Sequence, residues 1–142
     1  MTAQRPDLAA MIVPLGRALL AAERPILDDH DLSMWAYIVL QALHDRPARG
    51  QGALAQEIGA DKTRIIAVLD DLQSRSLIDR YPDPADRRAR LLSLTASGEA
   101  LRKKVRSAIR AHEDRLLNTL SPTDRRGFLN ALTALSSRAQ SD

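Results

Sequence analysis

Ala60–Gly98 reads ADKTRIIAVLDDLQSRSLIDRYPDPADRRARLLSLTASG, and two different periods meet inside it. From Lys62 to Leu72, Ile65, Val68, Leu69 and Leu72 recur at helical spacing, which predicts a helix with one buried face. Lys62, Thr63, Ala67 and Asp70 fall on the opposite face and point outward. The period then changes. Leu77 and Ile78 open a short extended segment ending at Tyr81-Pro82, and Leu91, Leu92 and Leu94 belong to a second one. PDPADRR between them combines two prolines, two aspartates and two arginines, which is turn chemistry with a basic tip. A helix followed by such a hairpin suits duplex DNA. The helix fits the major groove, and arginine suits the narrower, more negative minor groove.

Immediately upstream, GALAQEIG (residues 52–59) predicts a partner helix with Leu54, Ala55 and Ile58 turned inward. Gly59 permits a sharp turn, and Asp61 is placed to cap the next helix, its carboxylate near the positive helix end. The spacing is that of a helix-turn-helix. Lys62, Thr63 and Arg64 then lie at the start of the second helix, where side chains approach base edges. Arg75, at its far end, reaches either a phosphate or Asp71 one turn earlier.

The run LIDRYPDPADRRARLLSLTASG (77–98) closely resembles the wing of MarR-type regulators. That pattern is a Leu-Val/Ile-x-Arg strand, then Asp-Pro-x-Asp-x-Arg, then a strand ending Leu-Thr-x-x-Gly. It falls here on Leu77, Ile78, Arg80, Asp83, Pro84, Asp86, Arg88, Leu94, Thr95 and Gly98. The family usually has glycine where this chain has Ser76, as a left-handed helix cap, so Ser76 pays a conformational cost if its φ is positive. The resemblance implies a mainly α fold with a small β-hairpin wing: a winged helix-turn-helix lobe (31–98) between an N-terminal dimerisation helix and loop (1–30) and C-terminal dimerisation helices (99–142). It also implies a homodimer on a pseudo-palindromic double-stranded operator, a repressor released by a small aromatic or amphipathic effector. Arg88 matches the family's minor-groove arginine. Asp86 is expected to shape the tip, and Arg87 and Arg90 to add phosphate contacts.

Composition agrees. The chain has 142 residues, 44% of them hydrophobic and only 3% aromatic, so its core must be built from aliphatic side chains. With no cysteine, a disulfide scaffold, a cysteine zinc site and a thiol redox switch are excluded. The net charge is only +3, but residues 72–110 carry ten basic and four acidic side chains, against two and four over 51–71. A basic excess confined to the hairpin and the following helix gives salt-sensitive phosphate affinity. The polar start Met1–Pro6 lacks a secretory signal, and no apolar run approaches the ~20 residues of a membrane span, so a cytoplasmic protein is expected.

Residues 8–22, LAAMIVPLGRALLAA, predict an apolar helix that either starts near Val13 or kinks at Pro14, and that ends at Pro25. Arg17 is its one charge, so it is expected to be buried against another subunit. Asp28, Asp29, His30 and Asp31 read as a solvated loop, with a metal or effector site as the alternative; no cofactor or metal is expected. Ser33 caps a helix to about His44 whose stripe is Trp35, Ile38, Val39, Ala42 and Leu43. Trp35, Tyr37 and His44 either pack at the core edge or line an effector pocket. Pro47 and Gly50 mark a turn into a minimal strand.

A long helix is expected after Gly98, with Leu101, Val105, Ala108, Ile109, His112 and Leu116 inward. Ser121-Pro122-Thr123-Asp124 starts a last helix carrying Phe128, Leu129, Leu132 and Leu135. Two other classes compete with the DNA-binding reading. A winged helix used only for protein contacts would not need the basic excess. An enzyme would have only Asp28, Asp29 and His30 to work with, because no phosphate loop, nucleophile elbow or spaced metal motif is present.

Overall fold

The computed structural model describes residues 4–47 and 49–139. Residues 1–3, 48 and 140–142, with the extreme ends of the two terminal segments and part of the turn before Gly50, lie outside the described residues. The elements run α1 (Leu8–Asp29), α2 (Met34–Asp45), β1 (Arg49–Gly50), α3 (Gln51–Ile58), α4 (Lys62–Ser74), β2 (Ile78–Pro82), β3 (Arg90–Leu94), α5 (Ala96–Leu117) and α6 (Pro122–Ala139). They form two compact units, one reaching Ser107 and the other starting at Ala108.

The core of the first unit is aliphatic, as composition requires. Leu40 and Leu43 of α2, Leu54 of α3, Ile65, Leu69 and Leu72 of α4, and Ile78 and Leu92 of the sheet are all fully buried. The sheet order is β1-β3-β2, antiparallel throughout, with Ile78 opposite Leu94 and Pro82 opposite Arg90. The two-residue β1 extends the wing hairpin by pairing Gly50 with Leu91. Proline closes β2 at the hairpin mouth, where a missing N–H is tolerated.

Local chemistry sets the helix starts. Ser33 Oγ accepts from the Ala36 N–H at 3.0 Å, and Asp61 Oδ1 accepts from the Arg64 N–H at 2.8 Å. Gly59 takes the left-handed conformation, φ +71°, between α3 and α4. Ser76 does the same with φ +60°, so serine bears the cost that glycine would avoid.

Three expectations are corrected. α1 does not end at Pro25, nor does it start near Val13; it runs from Leu8 to Asp29 with both prolines inside it. Each proline costs one hydrogen bond, but Leu27 and Leu32 beyond Pro25 are buried and hold the chain there. Asp28 and Asp29 are therefore helical, and His30 and Asp31 form the turn that follows. The buried stripe of α2 is turned: Ala36, Val39, Leu40 and Leu43 are buried, while Trp35, Ile38 and Ala42 are only partly covered. Finally, α5 begins at Ala96 rather than after Gly98. Thr95 is its cap: Thr95 Oγ1 accepts from the Gly98 N–H at 3.0 Å and donates to the Ser76 carbonyl at 2.7 Å.

In the second unit, Ser121 Oγ accepts from the Asp124 N–H and caps α6. Arg125 bonds Asp114 at 2.9 Å and also Asn118, clamping α6 onto the end of α5. Phe128, Leu129, Leu132 and Leu135 of α6 are exposed in the single chain.

Candidate nucleic-acid interface

The first turn of α4 presents Lys62, Thr63 and Arg64, all exposed, beside the Asp61 cap. They diverge. The Arg64 guanidinium lies 5.7 Å from the centre of the Trp35 ring, a cation–π distance that steers it toward α2. Lys62 takes the other flank. It lines a groove of about 480 Å³ together with Ile66 of α4, the first residues of α3, and Arg88 and Arg90 of the wing. The hairpin register thus brings two of the sequence-predicted arginines to the same concavity as the start of α4.

Hydrogen bonds within the tip shape it. Asp83 Oδ1 accepts from the Ala85 N–H at 2.9 Å, and Asp86 Oδ1 accepts from the Arg88 N–H at 3.1 Å. The Asp83 N–H donates to the Ala89 carbonyl, and the Ala89 N–H donates to the Asp86 carbonyl. Asp86 therefore holds the backbone at Arg88, the Asx-turn device. Arg87 and Arg88 are left exposed.

One ion pair was hidden from sequence reasoning. Arg80 of β2 bonds Asp70 of α4 at 2.7 Å and ties the wing to α4. Among the described residues its Nε and Nη2 are buried without a hydrogen-bond partner, so Asp70 faces a largely buried guanidinium. Arg75 donates to the Asp31 carbonyl at 2.8 Å, and more weakly to the His30 carbonyl at 3.4 Å and Asp71 at 3.5 Å. Arg75 thus lies within reach of Asp71, and the two carbonyls brace the end of α1, where Asp31 has φ +53°.

Trp35 and His44 meet different partners. Trp35 lies under Arg64, whereas His44 Nδ1 meets Glu99 Oε2 at 3.1 Å. Glu99 also receives two hydrogen bonds from Arg102, at 2.7 and 3.0 Å, and Arg102 reaches Gln41 at 3.2 Å. The Arg102 hydrogen bonds, opposed by partial burial and helped by the charges of Arg102 and His44, hold the Glu99 carboxyl at about 2. Arg102 is buried, although it is not among the residues whose spacing predicts an inward face. His44 and Glu99 wall a cleft of about 340 Å³ with Leu94 and Thr95. A larger cleft, about 600 Å³, opens between α1 and α2 beside Leu20, Arg24, Leu32 and Met34; no motif announced it.

His30 Nδ1 donates to the Ile26 carbonyl at 2.8 Å, and among the described residues no three histidines or acids cluster as metal ligands.

A helix-turn-helix whose second helix is followed by a three-stranded sheet with a basic hairpin tip defines the winged helix-turn-helix class. Residues 30–89 match the sequence model of the MarR family. The transcriptional regulator HosA of Escherichia coli is 37% identical over 71 residues, which is 50% of this chain and 53% of HosA. The chain spans about half the length of the first curated relatives it matches. Among solved structures, the transcriptional repressor CouR bound to a 23-mer DNA duplex is 27% identical, with TM-score 0.79 over 92% of each chain. The PcaV transcriptional regulator of Streptomyces coelicolor, in complex with its natural ligand, is 26% identical, with TM-score 0.68 over 96% of this chain and 99% of that one.

Proposed function

We propose that this chain is a sequence-specific double-stranded DNA-binding regulator, acting in the cytoplasm as a homodimeric repressor that a small effector releases. The reading rests above all on one juxtaposition: Lys62 of α4 and Arg88 and Arg90 of the wing face the same groove. Lys62, Thr63 and Arg64 would address base edges, Arg88 the minor groove, and Arg87 and Arg90 phosphates. Arg75 would act mainly as a brace. The likeness to CouR, a repressor bound to duplex DNA, supports this assignment. Among the described residues no helix is long and apolar enough to cross a membrane.

Dimerisation would use residues 1–30 and 99–142, flanking a DNA-binding lobe over 31–98. Leu8, Ile12 and Leu20 of α1 and Leu132 and Leu135 of α6 are exposed in the single chain and want cover. A two-fold dimer would set two α4 helices into successive major grooves of a pseudo-palindrome. An effector would occupy a cleft such as that between α1 and α2, where Arg24 stands over apolar walls. It would release DNA only by binding the DNA-incompetent arrangement more tightly.

Fluorescence anisotropy with the DNA upstream of the chain's own gene, against random duplex and across a salt series, tests the proposal. Tight, selective binding with a steep salt slope is expected. Equal, weak binding to both DNAs would overturn it and favour a protein-contact module.

A further inference from the structure

Ile66 is an apolar side chain in a basic groove. It is 45% exposed, whereas Ile65 beside it is 2% exposed and fills the core. Lys62 precedes it by four residues and so shares its face of α4. Both line the groove that Arg88 and Arg90 close from the wing side. Arg64 is directed to the other flank, over Trp35. The cations call for a polyanion in this groove. The isoleucine calls for an apolar spot on that polyanion. In the major groove of duplex DNA the apolar group on a base edge is the thymine 5-methyl. A β-branched side chain, stiff at its first torsion, presents such a contact at little entropic cost.

We propose that Ile66 is a specificity-determining residue that reads a thymine by packing on its 5-methyl group, one position further along the groove than the base or phosphate met by Lys62. The proposal rests on the DNA-binding reading above and sharpens it. It needs no hydrogen bond from Ile66, so its signature is insensitivity to everything at that base pair except the methyl group.

The test starts from random duplexes, from which the full chain enriches its preferred site. Each symmetric pair of thymines in that site is then replaced by deoxyuridine, which removes only the methyl. For the wild type, one pair should cost about fourfold in affinity per half-site, about sixteenfold for the symmetric operator, the worth of one buried methyl. Ile66→Ala should lose that penalty and keep any others, and Ile66→Val should retain part of it. Because Ile66 is largely outside the core, equal thermal midpoints for the variants are expected and serve as the folding control. Identical deoxyuridine profiles for wild type and Ile66→Ala would overturn the assignment while leaving DNA binding intact. Failure to enrich any sequence would overturn the DNA-binding reading and this assignment together.

Discussion

Gly98→Ala should destabilise the protein, although helix propensity alone says the opposite. Gly98 lies in the first turn of α5, where alanine is favoured by about 1 kcal/mol. A Cβ built there would stand 2.0 Å from the Leu77 carbonyl oxygen, 3.0 Å from the Leu77 carbonyl carbon and 3.3 Å from Leu94 Cδ2. The obstacle is backbone, so it cannot swing aside. To reach an ordinary carbon–oxygen contact, the start of α5 and the chain entering β2 must part by about 1 Å or more. That movement strains two hydrogen bonds, Thr95 N–H to the Leu77 carbonyl at 3.2 Å and Thr95 Oγ1 to the Ser76 carbonyl at 2.7 Å. At about 1 kcal/mol each, plus about 1–3 kcal/mol for overpacking, the cost exceeds the propensity gain by about 2–4 kcal/mol. For a chain of this size the melting midpoint should fall by about 6–13 °C. Circular dichroism melts and urea titrations at matched protein concentration read the effect. An unchanged or higher midpoint would show that the close approach is no constraint, and would refute the account of why glycine ends the Leu-Thr-x-x-Gly pattern.

Further expectations concern single side chains. Ser76→Gly should raise stability by about 0.5–1 kcal/mol, because glycine meets no Cβ penalty at φ +60°; a urea midpoint that falls would contradict this. The Glu99 carboxyl is held at about 2, below its ordinary 4.5, so its contribution is complete above 4.5 and is lost as pH falls toward 2. Its side chain is 39% exposed, and solvent screening leaves that contribution at about 1 kcal/mol. Acid titration of Glu99→Gln should accordingly show a shallower stability loss over that window, and equal slopes would remove the Arg102 bridge as the cause. Arg88→Ala should weaken operator binding by about 1–3 kcal/mol without moving the thermal midpoint; undiminished affinity would take Arg88 out of the interface. Arg75→Ala should cost about 1–2 kcal/mol of stability by freeing the Asp31 carbonyl, with the salt slope of DNA binding unchanged. A slope smaller by about one would make Arg75 a phosphate contact after all.

The division between what was legible early and what was not follows range. Ser33, Asp61 and Ser121 declare their helix starts because a cap acts on an N–H three residues away. The wing tip is equally local: Asp83 and Asp86 bond the backbone two residues on. The alternation of Ile65, Leu69 and Leu72 with polar neighbours was enough to orient α4. For these elements the sequence by itself determined the winged-helix lobe, its basic tip and the order of its parts.

Tertiary structure alone decided which distant groups meet. Trp35 reads as a core or pocket residue until α2 crosses the start of α4 and the ring comes under Arg64, 29 positions away. Asp70 reads as solvated until β2 brings Arg80 to it. Arg102 is not among the residues whose spacing predicts an inward face, yet Glu99 beside it and Gln41 from α2 satisfy its donors and make burial tolerable. Pro25 is a helix breaker by local rule, but the burial of Leu27 and Leu32 outweighs one lost hydrogen bond. The local preferences range from about 1 kcal/mol to about 3 kcal/mol for an interior helix proline, and packing of comparable or greater worth overrides them.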